Sequence, residues 1–321
     1  MNNNAMSLII VTNNLNYSDK LEADVKKIYL KEFTKDYSFP FFIQYGKHDE
    51  KMILHSHGDF SELVIILEGS ATHIVGNEKF QISKGDVFVI SNDTVHGYEA
   101  AENFRLCNIM FRMSEVFTKS YDLWNIPGFH ALFVIEPYMT KDHSFQSYLK
   151  LSISQLEELE MQLDKMINEY SKKLDGMKTL LLNTFTLIAL DLSRLYPVDL
   201  KIQKQPLIHL SKAVAYLERN YGNDITVEIL ANQANLSPRH FSRLFREIYK
   251  ESPGSYLLNY RIQKAIELLD NKELSISEVA YQCGFNDSNY FSRQFHKNTG
   301  FAPREHRNRK GLTVQPSNYL Y

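Results

Sequence analysis

"FSRLF", residues 241–245, returns as "FSRQF" at residues 291–295, an offset of 50. Matching punctuation surrounds both copies: at the same offset, Ser237 and Asp287 are candidate N-caps, and Pro253 and Pro303 lie just past the helix ends. A short apolar stretch precedes each, "TVEILANQANL" in one case and "ISEVAYQCGF" in the other. Ala231 and Ala234 in the first, and Ala280 and Cys283 in the second, are small enough for two helices to cross closely. A short helix, a tight turn, then a capped helix with Pro238 at its first position spell a helix-turn-helix. Here the unit is written twice.

In the first capped helix, Phe241, Leu244, Phe245 and Ile248 fall at i, i+3, i+4 and i+7 and predict one buried stripe. Arg239, Arg243, Arg246 and Lys250 fall at i, i+4, i+7 and i+11, a cationic face with His240 beside it. In the second, Phe291 and Phe295 anchor the helix while Ser288, Asn289, Ser292, Arg293 and Lys297 stay polar. Arginine and asparagine pair with purine edges in a major groove, and lysine and serine more often hold phosphate, so these residues are the candidate contacts to double-stranded DNA. A basic face on one helix is ordinarily just solvated, but the doubled grammar argues against that here. Between the units, "PGSYLLNYRIQKAIELL" predicts a helix about 24 Å long, against the ~34 Å that separates successive turns of a major groove.

Composition agrees with such a partner without demanding it. The chain has 321 residues, 44% apolar and 23% charged, and a formal charge of −2. Residues 206–310 hold 15 Lys and Arg against 11 Asp and Glu, and the remainder 21 against 27, so a basic third sits on an acidic body. No apolar run approaches the ~20 residues that span a bilayer, so no membrane partner is expected. "MNNNAMSLIIV" lacks the basic flank of a leader, and the expected location is the cytoplasm. Cys107 and Cys283, far apart and outside any CxxC spacing, are expected to be buried thiols.

The N-terminal half changes period. Short runs such as "ELVIILEG", "KFQIS" and "DVFVI", separated by turn residues, predict many strands and hence a sandwich or barrel. From residue 155 the spacing becomes helical: Leu156, Leu159, Leu163, Met166 and Tyr170 form a stripe, Gly176 breaks it, and a second apolar helix follows. The stripe fits burial on the chain's own barrel as well as it fits a dimer seam. The organisation expected is an N-terminal extension at 1–38, a barrel at 39–115, a helical association region at 116–196, a linker at 197–206, two helix-turn-helix units at 207–309 and a tail at 310–321. The fold class is α+β and multidomain.

One further stretch carries chemistry: "HSHGDFSELVIILEG", residues 55–69. Its HxHx4Ex6G spacing resembles the first cupin motif, with His55, His57, Glu62 and Gly69 in register, and Gly85 and His96 take the second motif's places. Residues i and i+2 of a strand share a face, so His55 and His57 can point together into a barrel. Three readings stay open: a polar effector pocket including His73, a divalent metal on His55, His57, Glu62 and His96, or histidines that only pack. Ser91, Asp93 and Ala100 depart from the second motif, and no separate acid, base or nucleophile stands out, so no catalytic residue and no resident cofactor is assigned.

With "LA" at 230–231, "FSRLF", "SPGSYLLNYRIQKAIELL", "ISEVAYQCGF", "YFSRQFHKNTGFAP" and Arg307, residues 207–309 resemble the DNA-binding domain of the AraC/XylS family of bacterial transcription regulators. His306 departs from the aromatic residue usual near that end. The resemblance implies a cupin-like sensor for a small effector, a homodimer, and activation through RNA polymerase, with repression as the secondary possibility. "WNIPGFHALFVIEP", residues 124–137, is similar to a stretch common in the family's sugar-responsive members, so a sugar is the expected effector, and carbohydrate uptake or metabolism genes the expected targets. The competing class is a cupin metalloenzyme, an isomerase or dioxygenase, fused to a DNA-binding module.

Overall fold

The computed structural model describes residues 25–48, 54–76, 78–118, 122–142, 147, 149–198 and 206–308. Residues 1–24 of the expected extension, most of the expected linker and the whole tail lie outside the described residues. Contacts group the chain into two compact units: Met1–Arg112 with Thr140–Leu182, and Met113–Met139 with Asn183–Tyr321.

The first unit is a folded-over sheet of eight strands: β1 (Lys26–Ile28), β2 (Phe41–His48), β3 (His55–His57), β4 (Ser61–Val75), β5 (Glu78–Ser83), β6 (Asp86–Ile90), β7 (His96–Phe111) and β8 (Leu149–Lys150). The long antiparallel pair β4 and β7 is its spine; β5 and β6 pair with β4, and β2 and β3 pair with β7. Register shifts between Ile66 and Thr72 bend β4, so that Val64 and Ile66 before the bend share a core with Ala71 and Val75 after it. Gly69 stands in that bend at φ +70°, and a Cβ there would meet the Glu102 carbonyl oxygen at 2.1 Å. The motif glycine therefore serves the backbone. The sheet begins upstream of the expected residue 39, because β1 runs parallel to β3 and Leu30 is buried with Phe60 and Met110.

The α-helices between the sheet and the C-terminal repeat are α1 (Met113–Val116), α2 (Pro127–His130), α3 (Glu136–Asp142), α4 (Ile153–Lys172) and α5 (Met177–Leu195). The stripe Leu156, Leu159, Leu163 and Met166 of α4 is buried within the first unit. Tyr170 meets Phe42 edge to face at 5.4 Å, the Tyr45 hydroxyl donates to Asp164 at 2.6 Å, and Arg105 donates to Glu160 at 2.6 Å. The open choice between barrel and dimer seam thus closes on the barrel. The region 116–196 is divided: α4 belongs with the sheet, and residues 113–139 belong with the C-terminal repeat. Periodicity marks an apolar face and says nothing of its partner, so the sequence did not reveal this division.

The second unit continues with α6 (Pro206–Arg219), α7 (Val227–Gln233), α8 (Pro238–Tyr249), α9 (Pro253–Leu269), α10 (Ile276–Gln282), α11 (Ser288–Thr299) and α12 (Pro303–Asn308). The expected caps are present, Ser237 accepting from the His240 amide and Asp287 from the Tyr290 amide, and Ser252 caps α9 in the same way by accepting from Ser255. The two units are not perfect copies. Their first helices begin at caps Thr226 and Ser275, 49 apart, whereas their second begin 50 apart, so the second turn holds one more residue. Asn235 at φ +53° makes the shorter turn and Gly284 at φ +80° the longer. The last helix is well seated: His306 packs edge-on against Phe295 at 5.5 Å, and Arg307 donates to the Leu269 carbonyl at 3.1 Å.

A buried polar node ties residues 122–139 to this unit. Glu218 of α6 accepts from the Tyr256 hydroxyl of α9 and lies 3.2 Å from His130 Nε2. His130 Nε2 is also 2.7 Å from the Trp124 carbonyl, and Nδ1 is 3.1 Å from the Tyr249 hydroxyl of α8. Two acceptors at Nε2 assign the proton there, which leaves Nδ1 to accept from Tyr249. Beside the node, Gly128 packs so tightly on α5 that a Cβ would sit 1.9 Å from the Ser193 carbonyl oxygen.

His130→Ala should therefore cost about 3 to 5 kcal/mol, because it strands a buried carboxylate as well as opening a cavity. Gly128→Ala should cost about 1 to 3 kcal/mol through overpacking. Trp124 is the chain's one tryptophan and lies in the node, so the urea midpoint followed by its fluorescence reads both losses. Unchanged midpoints would mean that this segment does not hold the unit together.

Candidate nucleic-acid interface and effector site

The apolar stripe of α8 turns inward as expected, with Phe241, Leu244, Phe245 and Ile248 buried. That burial fixes the opposite face outward: Arg239, Arg243 and Arg246 are exposed, His240 half-buried, and all four line one open groove with Ser237, Ser242 and Glu247. Arg243 is held along the helix by Glu247 at 2.6 Å. An exposed pair of this kind is worth about 0.3 to 0.5 kcal/mol, so a phosphate or a base edge can replace the carboxylate at little cost.

Lys250 is not brought onto this face. It is the C-cap of α8 at φ +58°, its ammonium donates to the Glu247 carbonyl at 2.7 Å, and it lies 5.4 Å from the centre of the Tyr138 ring. The i+11 spacing that aligned it with the arginines holds only while the helix continues, and the helix ends at Tyr249.

On α11, Phe291 and Phe295 are buried, while Asn289, Arg293 and Lys297 are exposed. Ser288 and Ser292 are half-buried, and the Ser292 hydroxyl donates to the Ser288 carbonyl at 2.8 Å, which leaves it an acceptor toward solvent. Sequence reasoning missed Tyr290, 43% exposed near the start of this helix and able to offer a ring face and a hydroxyl. It also missed Arg261, which acts on the interface by fixing it. The Arg261 guanidinium donates to the carbonyls of Tyr221 and Asn223 at 2.8 Å each, and also packs beside Gly284 in the second turn. The signal was an arginine in an otherwise apolar stretch of α9.

In the barrel, His55, His57, Glu62, His73 and His96 are all buried, none more than 7% exposed. His55 and His57 share a face of β3, and His55 pairs directly with His96 at the start of β7. His57 Nε2 lies 3.2 Å from His96 Nε2 and 3.8 Å from a Glu62 oxygen. Aromatic rings fill the surroundings: His57 stacks on Phe60 at 4.3 Å, and His73 is sandwiched between Phe88 at 5.0 Å and Tyr98 at 5.1 Å. Burial lifts the Glu62 carboxyl to about 8. Burial, with His55 nearby, lowers His73 to about 3 and puts His57 and His96 well below the usual imidazole range. Burial thus favours the uncharged form of each of these groups. Both cysteines are buried, and burial pushes the Cys283 thiol up to about 12.

The stretch 124–137, read above for its likeness to sugar-responsive proteins, belongs to the second unit. There Trp124, Phe129, His130 and Ile135 are buried core.

Comparison with known proteins places both halves. Residues 41–167 match the family described as AraC-like ligand binding domain, and residues 230–309 match the family described as Helix-turn-helix domain. The HTH-type transcriptional activator RhaR of Enterobacter sp. (strain 638) is 28% identical over 258 residues, 80% of this chain and 88% of that one. The HTH-type transcriptional activator RhaS of Shigella boydii serotype 18 (strain CDC 3083-94 / BS512) is 27% identical over 255 residues, 78% of this chain and 85% of that one. Among solved structures, the DNA-binding domain of the global transcriptional factor AdpA in complex with a target DNA is 31% identical, covers 31% of this chain and 89% of that one, and has a TM-score of 0.30.

The different settings of Arg246 and Lys250 make an internal test. Arg246→Ala should weaken binding to every duplex and flatten the slope of log affinity against log salt by about 1, as expected for a lost phosphate contact. Lys250→Ala should leave that slope unchanged. A flattened slope for Lys250→Ala would return it to the interface.

Proposed function

The chain belongs to the AraC family of DNA-binding transcriptional activators, and from that premise we propose that it is an effector-responsive activator whose barrel binds a small ligand. The observation that supports this best is the pairing of α8 and α11. Each presents an exposed cationic or polar face outward, each buries two phenylalanines inward, and each is entered through the same kind of cap. Helix α9, 17 residues and about 25 Å long, stands between them. Arg239, His240, Arg243 and Arg246 address one stretch of major groove, and Ser288, Asn289, Ser292, Arg293 and Lys297 the next.

Regulation follows from differential binding. A ligand that prefers one arrangement of the barrel shifts the population toward it, and only that difference in affinity can reach the DNA-reading unit. Within the unit that reads DNA, His130 is fixed to Glu218. RNA polymerase is the partner on the promoter. A homodimer would have to use a surface other than the apolar stripe of α4, which covers the barrel.

The test is a footprint of the full-length chain on the promoter beside its own gene, with and without a panel of sugars. Arg243→Ala and Arg293→Ala should each cost about 1 to 3 kcal/mol, roughly 5- to 150-fold, and relax preference at one base position apiece if they read bases. Equal weakening on all sequences would make them phosphate anchors. No retardation of any promoter fragment in low salt would sink the reading. A fragment beginning at residue 207 is a poor substitute, since it deprives Glu218 of His130.

A further inference from the structure

We infer that Arg261 and the loop at residues 220–223 form a clasp that fixes the separation of the two helix-turn-helix units, so that the chain selects DNA by the spacing of its half-sites. Helix α9 is shared between two cores. In its first half, Tyr256 packs on Phe245 at 5.5 Å and Tyr260 on Tyr221 at 5.4 Å, both rings of the first helix-turn-helix or the loop that enters it. In its second half, Ile262, Ala265 and Leu269 pack with Val279, Cys283 and Phe291 of the second. Arg261 stands where one core gives way to the other. A shared helix alone lets the two cores shift as it curves, unless a contact away from its axis joins them.

The loop between α6 and α7 makes that contact. It is closed by the Asn223 amide, which donates to the Asn220 carbonyl at 2.8 Å, and its Tyr221 and Asn223 carbonyls accept from the Arg261 guanidinium at 2.8 Å each. The same loop touches the second helix-turn-helix directly: a Cβ on Gly222 would lie 3.0 Å from the Gln282 carbonyl oxygen, and one on Gly284 2.8 Å from that of Tyr221. On its other side Arg261 lies 5.9 Å from the centre of the Phe285 ring, and Phe285 packs on Phe291 of α11 at 5.0 Å. Contacts thus run across α9 from the loop that enters the first unit to the inner face of the second recognition helix. Two directed bonds from one planar group hold an angle as well as a distance, which apolar packing does not. One base pair more between half-sites moves the second by about 3.4 Å and turns it by about 35° around the duplex, a change that clasped readers follow only by deforming the DNA.

This selectivity rests on the reading of α8 and α11 as neighbouring readers, so the full-length chain is measured both with DNA and without it. With DNA, one base pair is added or removed between the two stretches of the footprint whose protection Arg243→Ala and Arg293→Ala respectively remove. The wild type should lose at least ~10-fold in affinity for either change, and Arg261→Ala, Arg261→Lys and Gly222→Ala less than ~3-fold. Arg261→Ala should leave the slope of log affinity against log salt unchanged; a slope flattened by about 1 would make Arg261 a phosphate contact and overturn the clasp. Without DNA, spin labels on Asn232→Cys and Ser277→Cys, both exposed positions, should give one narrow distribution of distances that broadens in the same three variants, the native cysteines being buried. Circular dichroism checks folding, and any variant that folds decides. Absence of all DNA binding would sink the regulator reading and leave the label distances to decide the clasp. Equal spacing penalties in wild type and variants, or an unchanged distribution, would overturn it.

Discussion

A carboxylate without access to water organises the C-terminal unit. Glu218 is 1% exposed and takes its partners from three separate stretches of chain: Tyr256 on α9, His130 on α2 and, through His130, Tyr249 on α8 and the Trp124 carbonyl. Burying such a group is unfavourable unless every partner is in place, so the arrangement selects one packing of these segments over close alternatives. Apolar contacts could hold the same helices together with less discrimination. The aromatic rings around the node, Phe245 against Tyr249 and Tyr256, supply the burial, and the polar atoms supply the register.

What the node does for the first helix-turn-helix, Arg261 does between the two. Its guanidinium reaches backbone carbonyls at Tyr221 and Asn223, ahead of the first unit, and packs against Gly284 in the turn of the second. A lysine could offer charge there but not two directed bonds from one planar group. With Gly284 at positive φ the backbone passes close beside the guanidinium, where any Cβ would collide at 2.8 Å. The glycine and the arginine are thus one feature.

The doubled helix-turn-helix was legible in the sequence because its signals are local: caps, small crossing residues, prolines at first helical positions and an aromatic stripe all lie within a few residues of each other. Strand content in the first unit was legible for the same reason. What lay hidden was partnership. Leu156, Leu159, Leu163 and Met166 announce an apolar face, and only tertiary structure says that the barrel covers it. Trp124 to Glu136 read as part of an association region, although Glu218, which binds His130, lies 88 residues further on. Lys250 was placed by extending helical spacing one residue past the helix, where the backbone turns left-handed. The histidine spacing gave the cluster correctly and could not give the ring packing that decides what fits inside it.

That packing bears on how a signal could leave the barrel. A large ligand entering a roomy pocket can close loops around itself, but a cluster of rings in contact has no such slack, and interiors packed to this density change state by small, discrete repacking. The movable parts here are few. His96 opens β7, is paired with His55 in register, and is bonded to His57, so a ligand gathered by these side chains acts on β3 and β7 together. Strand β7 is also the spine of the sheet, paired with β4 along most of its length, so a change at His96 acts on the strand that carries the most pairing.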